Sequence, residues 1–399
     1  MPPSDADLLI VNTCGFIDAA KEESIDALLA AVDEAHARGA RVAAIGCLVA
    51  RYREELPREL PEIDIFCGFE RGPLVAELDT LAAGPFTLRR PATETGAARR
   101  RRLPRPLHSY LKISDGCDRR CAYCAIPLIK GTFQVTPPEV VLAEARAATT
   151  AGARELTLVG QDTSRWDWPG YGGLPRLLAD LSALEPLWLR ALYLQPDGVS
   201  EGLLEALAHY AVPYVDLPLQ HASRPVLQRM GRTGDGGAYL ELLRHVRTAL
   251  PGAAVRTTFI AGFPGETEAD VEALLEFIAA ADLAVAGVFA FDPQEGTPAW
   301  DMGPRVPQPL AEERAARISD AVERAAQTFW TGLIGQTFDV LVEHGSRSAG
   351  YEATGRIALQ APDVDGVTYV AAARPVRRGQ VLRAVVESAA GYELSATAL

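Results

Sequence analysis

Between residues 108 and 335, six apolar runs alternate with stretches of helical spacing, and this alternation constrains the fold more than any other feature. The runs are Tyr110–Ile113, Glu155–Gly160, Leu187–Leu194, Tyr214–Gln220, Val255–Gly262 and Val285–Phe291. Each precedes residues that favour a helix, such as the acidic opening Thr267-Glu268-Ala269-Asp270. Six repeated strand–helix units predict an incomplete parallel barrel, (β/α)6, with its chemistry at the carboxyl ends of the strands.

Polar residues gather at those ends. Gly160-Gln161-Asp162-Thr163-Ser164 follows the second run and Gln195-Pro196-Asp197-Gly198 the third. Gln220-His221-Ala222-Ser223 follows the fourth, and Gly262-Phe263-Pro264-Gly265-Glu266-Thr267 the fifth. Glycines there let backbone approach a ligand, while amides and hydroxyls hydrogen-bond it. His221 fits a residue that holds other site groups by hydrogen bonds, and also fits a catalytic base. The chain carries no defensible Ser-His-Asp set and no Walker-type phosphate loop.

The first run leads into Gly116-Cys117-Asp118-Arg119-Arg120-Cys121-Ala122-Tyr123-Cys124, three cysteines at CxxxCxxC spacing. Three soft thiolates on one loop suit a [4Fe-4S] cluster and leave one iron open for a substrate or cofactor. Zinc would require a fourth ligand nearby, for which His108 is the candidate.

Upstream, residues 1–87 alternate a strand (Asp7–Asn12), a helix (Ala19–Arg38), a strand (Arg41–Gly46) and further helical sequence, which predicts a small parallel α/β domain. Cys14 and Cys47 each follow a strand directly, where such sheets place ligands; buried apolar thiols are the equal alternative. Cys67 reads as a core residue of a short strand. Residues 88–107, with the basic run Arg99–Arg102, read as a solvated linker. After a long helix, Leu310–Leu333, residues 336–399 break into β runs: Thr337–Glu343, Tyr351–Leu359, Thr368–Ala372 and Gln380–Glu387. They predict a small antiparallel barrel. Its seven Asp/Glu nearly cancel six Arg, where an RNA-binding barrel would more often be basic.

Six cysteines in 399 residues do not form a disulfide scaffold. No apolar stretch reaches the roughly eighteen residues of a membrane span, and no leader opens the chain, so a cytoplasmic protein is expected. A net charge of -13 argues against broad nonspecific binding to nucleic acid and suits a basic protein partner.

The CxxxCxxC loop, with an aromatic before its last cysteine, resembles the signature of radical S-adenosylmethionine (SAM) enzymes. Together with Asn12-Thr13-Cys14-Gly15-Phe16-Ile17, Gly46-Cys47-Leu48, Gly160-Gln161-Asp162-Thr163, Leu217-Pro218-Leu219-Gln220-His221-Ala222-Ser223, Thr258–Thr267 and Gln294-Glu295-Gly296-Thr297, it resembles the radical SAM methylthiotransferase family over nearly the whole chain. The resemblance implies an N-terminal methylthiotransferase domain (1–87), a radical SAM domain (108–335) and a TRAM domain (336–399). It implies that Cys117, Cys121 and Cys124 hold the cluster that cleaves SAM, with Tyr123 beside the adenine and Gln161, Asp162 and Gly262 among the cofactor-binding residues. Cys14 and Cys47 would belong to a second [4Fe-4S] cluster that carries the sulfur to be inserted. An electron donor, a sulfur donor and two SAM per product are implied.

Within the family, Gly-Phe-Ile after Cys14, Gln-Asp-Thr and Gln-His-Ala-Ser resemble the branch that modifies an aspartate of small-subunit ribosomal protein S-twelve. The alternative branch modifies adenosine in tRNA, and a noncatalytic zinc- and ribosome-binding protein is the alternative from another class. The family supplies three N-terminal cysteine ligands, and the first would stand upstream of Cys14. The expectation is therefore a SAM cluster without a stable second one in this chain.

Overall fold

The computed structural model describes residues 6–70 except 38, residues 72, 74–76 and 78, residues 107–345 and residues 350–399. The expected linker 88–107, with its basic run Arg99–Arg102, lies outside the described residues apart from Leu107. The chain divides into two compact units. One comprises Met1–Leu103, Gly116–Thr132 and Asp292–Asp301; the other comprises Pro104–Asp115, Phe133–Phe291 and Met302–Leu399.

In the first unit, β1 (Leu8–Thr13), β2 (Arg41–Gly46) and β3 (Ile65–Cys67) form a parallel sheet in that order. The helix Asp18–His36 connects β1 to β2. It is rich in alanine, carries Asp18 in its first turn and His36 in its last, and so complements its own dipole. Leu28, Val32 and Ala35, spaced i, i+4, i+7, bury one face against Val42, Ala44 and Leu48. Short helices Cys47–Arg51 and Leu56–Glu59 follow β2.

The second unit contains the predicted partial barrel. Its first strands are β4 (His108–Lys112), the short pair β5 (Ser114–Asp115) and β6 (Gln134–Val135), β7 (Glu155–Val159) and β8 (Trp188–Ala191). Then come β9 (Tyr214–Asp216), β10 (Ala254–Ala261) and β11 (Val285–Ala290). β4, β7 and β8 pair in parallel, as do β9, β10 and β11. Backbone bonds from Val212 N–H to Leu189 O (2.8 Å) and Leu194 N–H to Asp216 O (3.0 Å) join the two sets in sequence order. Outward residues Leu156, Leu158, Val255 and Phe259 pack on the helices through Leu177, Leu207, Leu243 and Leu274.

Two strands are shorter than their apolar runs. Leu187–Leu194 narrows to β8, beyond which Tyr193 turns to φ 59°. Tyr214–Gln220 narrows to β9, but Gln220, at φ 70°, still bridges Phe259 of β10 in parallel.

The helix Gln308–Thr331 leads to a closed barrel of β12 (Thr337–Gly345), β13 (Ala353–Arg356), β14 (Thr368–Ala371), β15 (Val381–Ala390) and β16 (Glu393–Ala398). The sequence reading found four of these strands and expected antiparallel pairing throughout. β16 is the fifth, and it closes the barrel by pairing parallel with β14 and antiparallel with β15. Its sequence, Glu-Leu-Ser-Ala-Thr-Ala, carries little β signal, yet Leu394 and Ala396 point into the core. Among the described residues no helix is long and apolar enough to cross a membrane.

Candidate metal centre and cofactor site

In the first unit the register Thr13↔Gly46 brings Cys14 and Cys47 to neighbouring strand ends. Glycines permit the approach. A Cβ on Gly46, which sits at φ 106°, would lie 2.6 Å from Thr13 O, and one on Gly15 would lie 2.7 Å from Leu48 Cα. Cys14 is exposed and Cys47 half-buried. The Cys14 N–H donates to Ser24 Oγ (2.9 Å), and that hydroxyl bonds back to Ala20 O (2.7 Å). Cys67 lies opposite Ile45 in β3, 4% exposed, packed with Ala43 and Ile65. It is a core thiol at the last position of β3.

The same unit contains the CxxxCxxC loop. Gly116 adopts φ 70° at a point where any side chain would run into the carbonyl of Thr132. Cys117 N–H donates to Gly131 O (3.1 Å) and Cys124 N–H to Cys121 O (3.1 Å), so the turn is pinned at both ends. The Arg119 N–H points at Cys117 Sγ at 3.4 Å and so helps to orient that side chain. Tyr123, half-buried, rides on this turn, and Ala122 O accepts the Ala299 N–H at 2.9 Å. Among the described residues no three His, Cys, Asp or Glu side chains surround a point that would hold one metal ion. Thiolates of a cubane each bind a different iron, and three of them leave one iron open, so the chemistry of this donor set fits a [4Fe-4S] cluster.

In the second unit, Ser114 Oγ and the Oε1 atoms of Gln161, Gln195 and Gln220 are buried without a hydrogen-bond partner. All four lie at the carboxyl ends of barrel strands. Buried acceptors of this kind are normally satisfied, and a ligand bearing amine and hydroxyl donors would do so. Asp162, fully buried, accepts from Ser164 Oγ at 2.6 Å and shapes the turn beside Gln161.

Gly262 sits at φ 77°, with its would-be Cβ against Ala311. Its N–H is held by both oxygens of Glu266 (2.9 and 3.0 Å). Glu266 also accepts from Arg314 (3.0 Å) and faces His221 Nε2 at 3.4 Å. His221 is fully buried, and its Nδ1 accepts the N–H groups of Ala222 (3.0 Å) and Ser223 (2.9 Å). Acceptance at Nδ1 places the proton of the neutral ring on Nε2, facing the carboxylate. Nε2 makes no hydrogen bond among the described residues, and the bonds at Nδ1 hold the turn after β9. Arg314 was not legible in the sequence, because its partner Glu266 lies 48 positions away.

Residues 111–278 match the radical SAM superfamily, 334–399 the TRAM domain, and 2–68 the Uncharacterized protein family UPF0004. A Geobacter sulfurreducens protein, "Ribosomal protein uS12 methylthiotransferase RimO", is 39% identical over 98% of this chain and 90% of its own. The chain belongs to the radical SAM methylthiotransferase family. Two further methylthiotransferases of the same name agree. One from Desulforudis audaxviator is 40% identical over 99% of this chain and 89% of its own, and one from Nocardioides sp. is 39% identical over 100% and 90%. Among solved structures, the radical SAM methyltransferase TsrM of Kitasatospora setae is 17% identical with a TM-score of 0.55. It covers 73% of this methylthiotransferase and 66% of its own chain, and shows a shared fold.

Proposed function

We propose that this chain methylthiolates the β-carbon of an aspartate in small-subunit ribosomal protein uS12, replacing one hydrogen atom of that carbon with a methylthio group. The pinned CxxxCxxC turn carries the reading, and the near full-length likeness to proteins of that name supports its substrate. Cys117, Cys121 and Cys124 would hold a [4Fe-4S] cluster, with Tyr123 beside the adenine of SAM. When bound, that cluster supplies the electron that cleaves SAM. The Arg119 N–H donates to Cys117 Sγ and so helps to orient that side chain. Gln161, with Ser114, Gln195 and Gln220, offers buried acceptors that would orient the amino and hydroxyl groups of the cofactor. Asp162 shapes the turn that carries Gln161, and Gly262 would let backbone approach the cofactor at the end of β10.

Cys14 and Cys47 would serve a second cluster that carries the sulfur, with a reductant and a sulfur donor as further partners. A reducing cytoplasm would keep these thiols available.

The test is mass spectrometry of uS12 after anaerobic incubation with the reconstituted protein, SAM and dithionite. A methylthio group on an aspartate peptide is the expected result. Its appearance on tRNA adenosine instead would overturn the substrate. Iron counting addresses the clusters: about four irons per chain mean the SAM cluster alone, about eight mean both.

A further inference from the structure

The Cys14–Cys47 pair and the CxxxCxxC loop stand far apart in sequence, and a third segment, 292–301, touches both within the first unit. Arg51, the last residue of the helix that opens with Cys47, is the hub. Its NH1 donates to Gly15 O (2.7 Å) on the Cys14 turn and to Gln294 Oε1 (2.9 Å). Its NH2 donates to Glu295 O at 2.7 Å. One planar guanidinium thus ties the Cys47 helix and the Cys14 turn to segment 292–301. Gln294, 3% exposed, is itself oriented: its Nε2 donates to Asp292 Oδ2 at 2.8 Å. The same carboxylate oxygen accepts the Asp18 N–H (3.0 Å) where the Cys14 turn enters its helix. Thr297 bonds back to Gln294 O through both N–H (3.1 Å) and Oγ1 (2.7 Å), which makes the turn rigid. Two residues on, Ala299 N–H donates to Ala122 O, between Cys121 and Cys124.

We infer that Arg51 is a positioning residue that sets the spacing between the two cysteine groups, through the rigid 292–299 turn. The inference rests on the proposed two-cluster reading. Radical formation at one site and sulfur delivery at the other must meet on one substrate carbon, and a displacement of about 1 Å can cost about 100-fold in such a step. Arg51 touches neither cysteine sulfur in this scheme. It acts through the backbone of Gly15, Gln294 and Glu295.

Two readouts test it, using the full chain with Arg51→Met, Arg51→Lys and Gln294→Ala. In the metal-free protein, hydrogen exchange followed by mass spectrometry should show faster exchange in peptides covering 14–18 and 292–299. Strands β1 and β2 and the partial barrel should stay protected, with an unchanged melting temperature. In the reconstituted protein, the ratio of 5′-deoxyadenosine formed to methylthio groups installed should rise about tenfold for Arg51→Met. Arg51→Lys, which keeps the charge but loses the fork, should rise less. Uniform loss of protection with an unchanged ratio would make Arg51 a stability residue and overturn the inference, as would unchanged exchange in both peptides. Should the unaltered chain hold about eight irons and cleave SAM yet methylthiolate nothing, the function reading fails, while the exchange result still decides the bridge.

Discussion

Gly46 stands between Thr13 and Cys47 at φ 106°, and no other residue type fits both its backbone and its space. A Cβ there would meet Thr13 O at 2.6 Å and Asn12 Oδ1 at 2.8 Å. Gly39 is also left-handed, at φ 71°, but has nothing within 4 Å of a Cβ. Gly39→Ala should therefore cost about 1 kcal/mol for backbone strain alone, and Gly46→Ala about 3 kcal/mol, since β1 and β2 must also part. Urea unfolding of the two variants isolates the close approach. The motifs Asn-Thr-Cys-Gly and Gly-Cys-Leu drew attention to Cys14 and Cys47 in the sequence. The register Thr13↔Gly46 places the two on neighbouring strand ends.

Among the elements, the helix Glu268–Ala281 was announced by its opening residues, and it is closed by a full capping box. Thr267 Oγ1 accepts the Asp270 N–H, and the Asp270 carboxylate accepts the Thr267 N–H at 2.8 Å. Asp270 also accepts the hydroxyl of Ser223, which links the helix to the turn after β9. Partial burial opposes its charge, but the bonds from Ser223 and Thr267 prevail and hold its carboxyl below the usual range. A depressed native value stabilises the fold above the ordinary Asp value of about 3.9, and that contribution disappears as pH falls through the native value. Thr267→Ala should cost about 1 kcal/mol at neutral pH and distinctly less in acid. Melting curves of the variant and its parent from neutral to acid pH check this. Elements with a start signal were legible; β16, built of small residues, formed because β14 and β15 left edges for it.

For the molecule as a whole, the second unit joins its two barrels through buried charge. Glu155 and Arg190, both fully buried on β7 and β8, pair at 2.8 Å, and Arg356 of β13 pairs with the other oxygen of Glu155 at 2.8 Å. Arg356 also bonds Glu343 of β12, and Arg190 reaches the carbonyls of Ala358 (3.0 Å) and Gln360 (3.2 Å). Around this chain lies one apolar core shared by Trp188 and Tyr214 of the partial barrel with Ile357 and Val340 of the C-terminal one. Arg356→Met leaves one oxygen of Glu155 and the Glu343 carboxylate without their cation and should cost about 3 kcal/mol, while Glu155→Leu, Arg190→Met and Arg356→Met together should cost less. Calorimetry should show both barrels melting in one transition in each case. Separate transitions in the parent protein would show that the charge chain does not couple them.

By itself the sequence determined the alternation of strands and helices and the cysteine loop, because periodicity and short-range spacing are local properties. The closure of the C-terminal barrel by β16, the tautomer of His221 and the roles of Arg51, Arg314 and Arg356 were decided only by tertiary structure. Each depends on partners brought together from distant positions, and a long cation looks the same in sequence whether it meets water or a buried carbonyl.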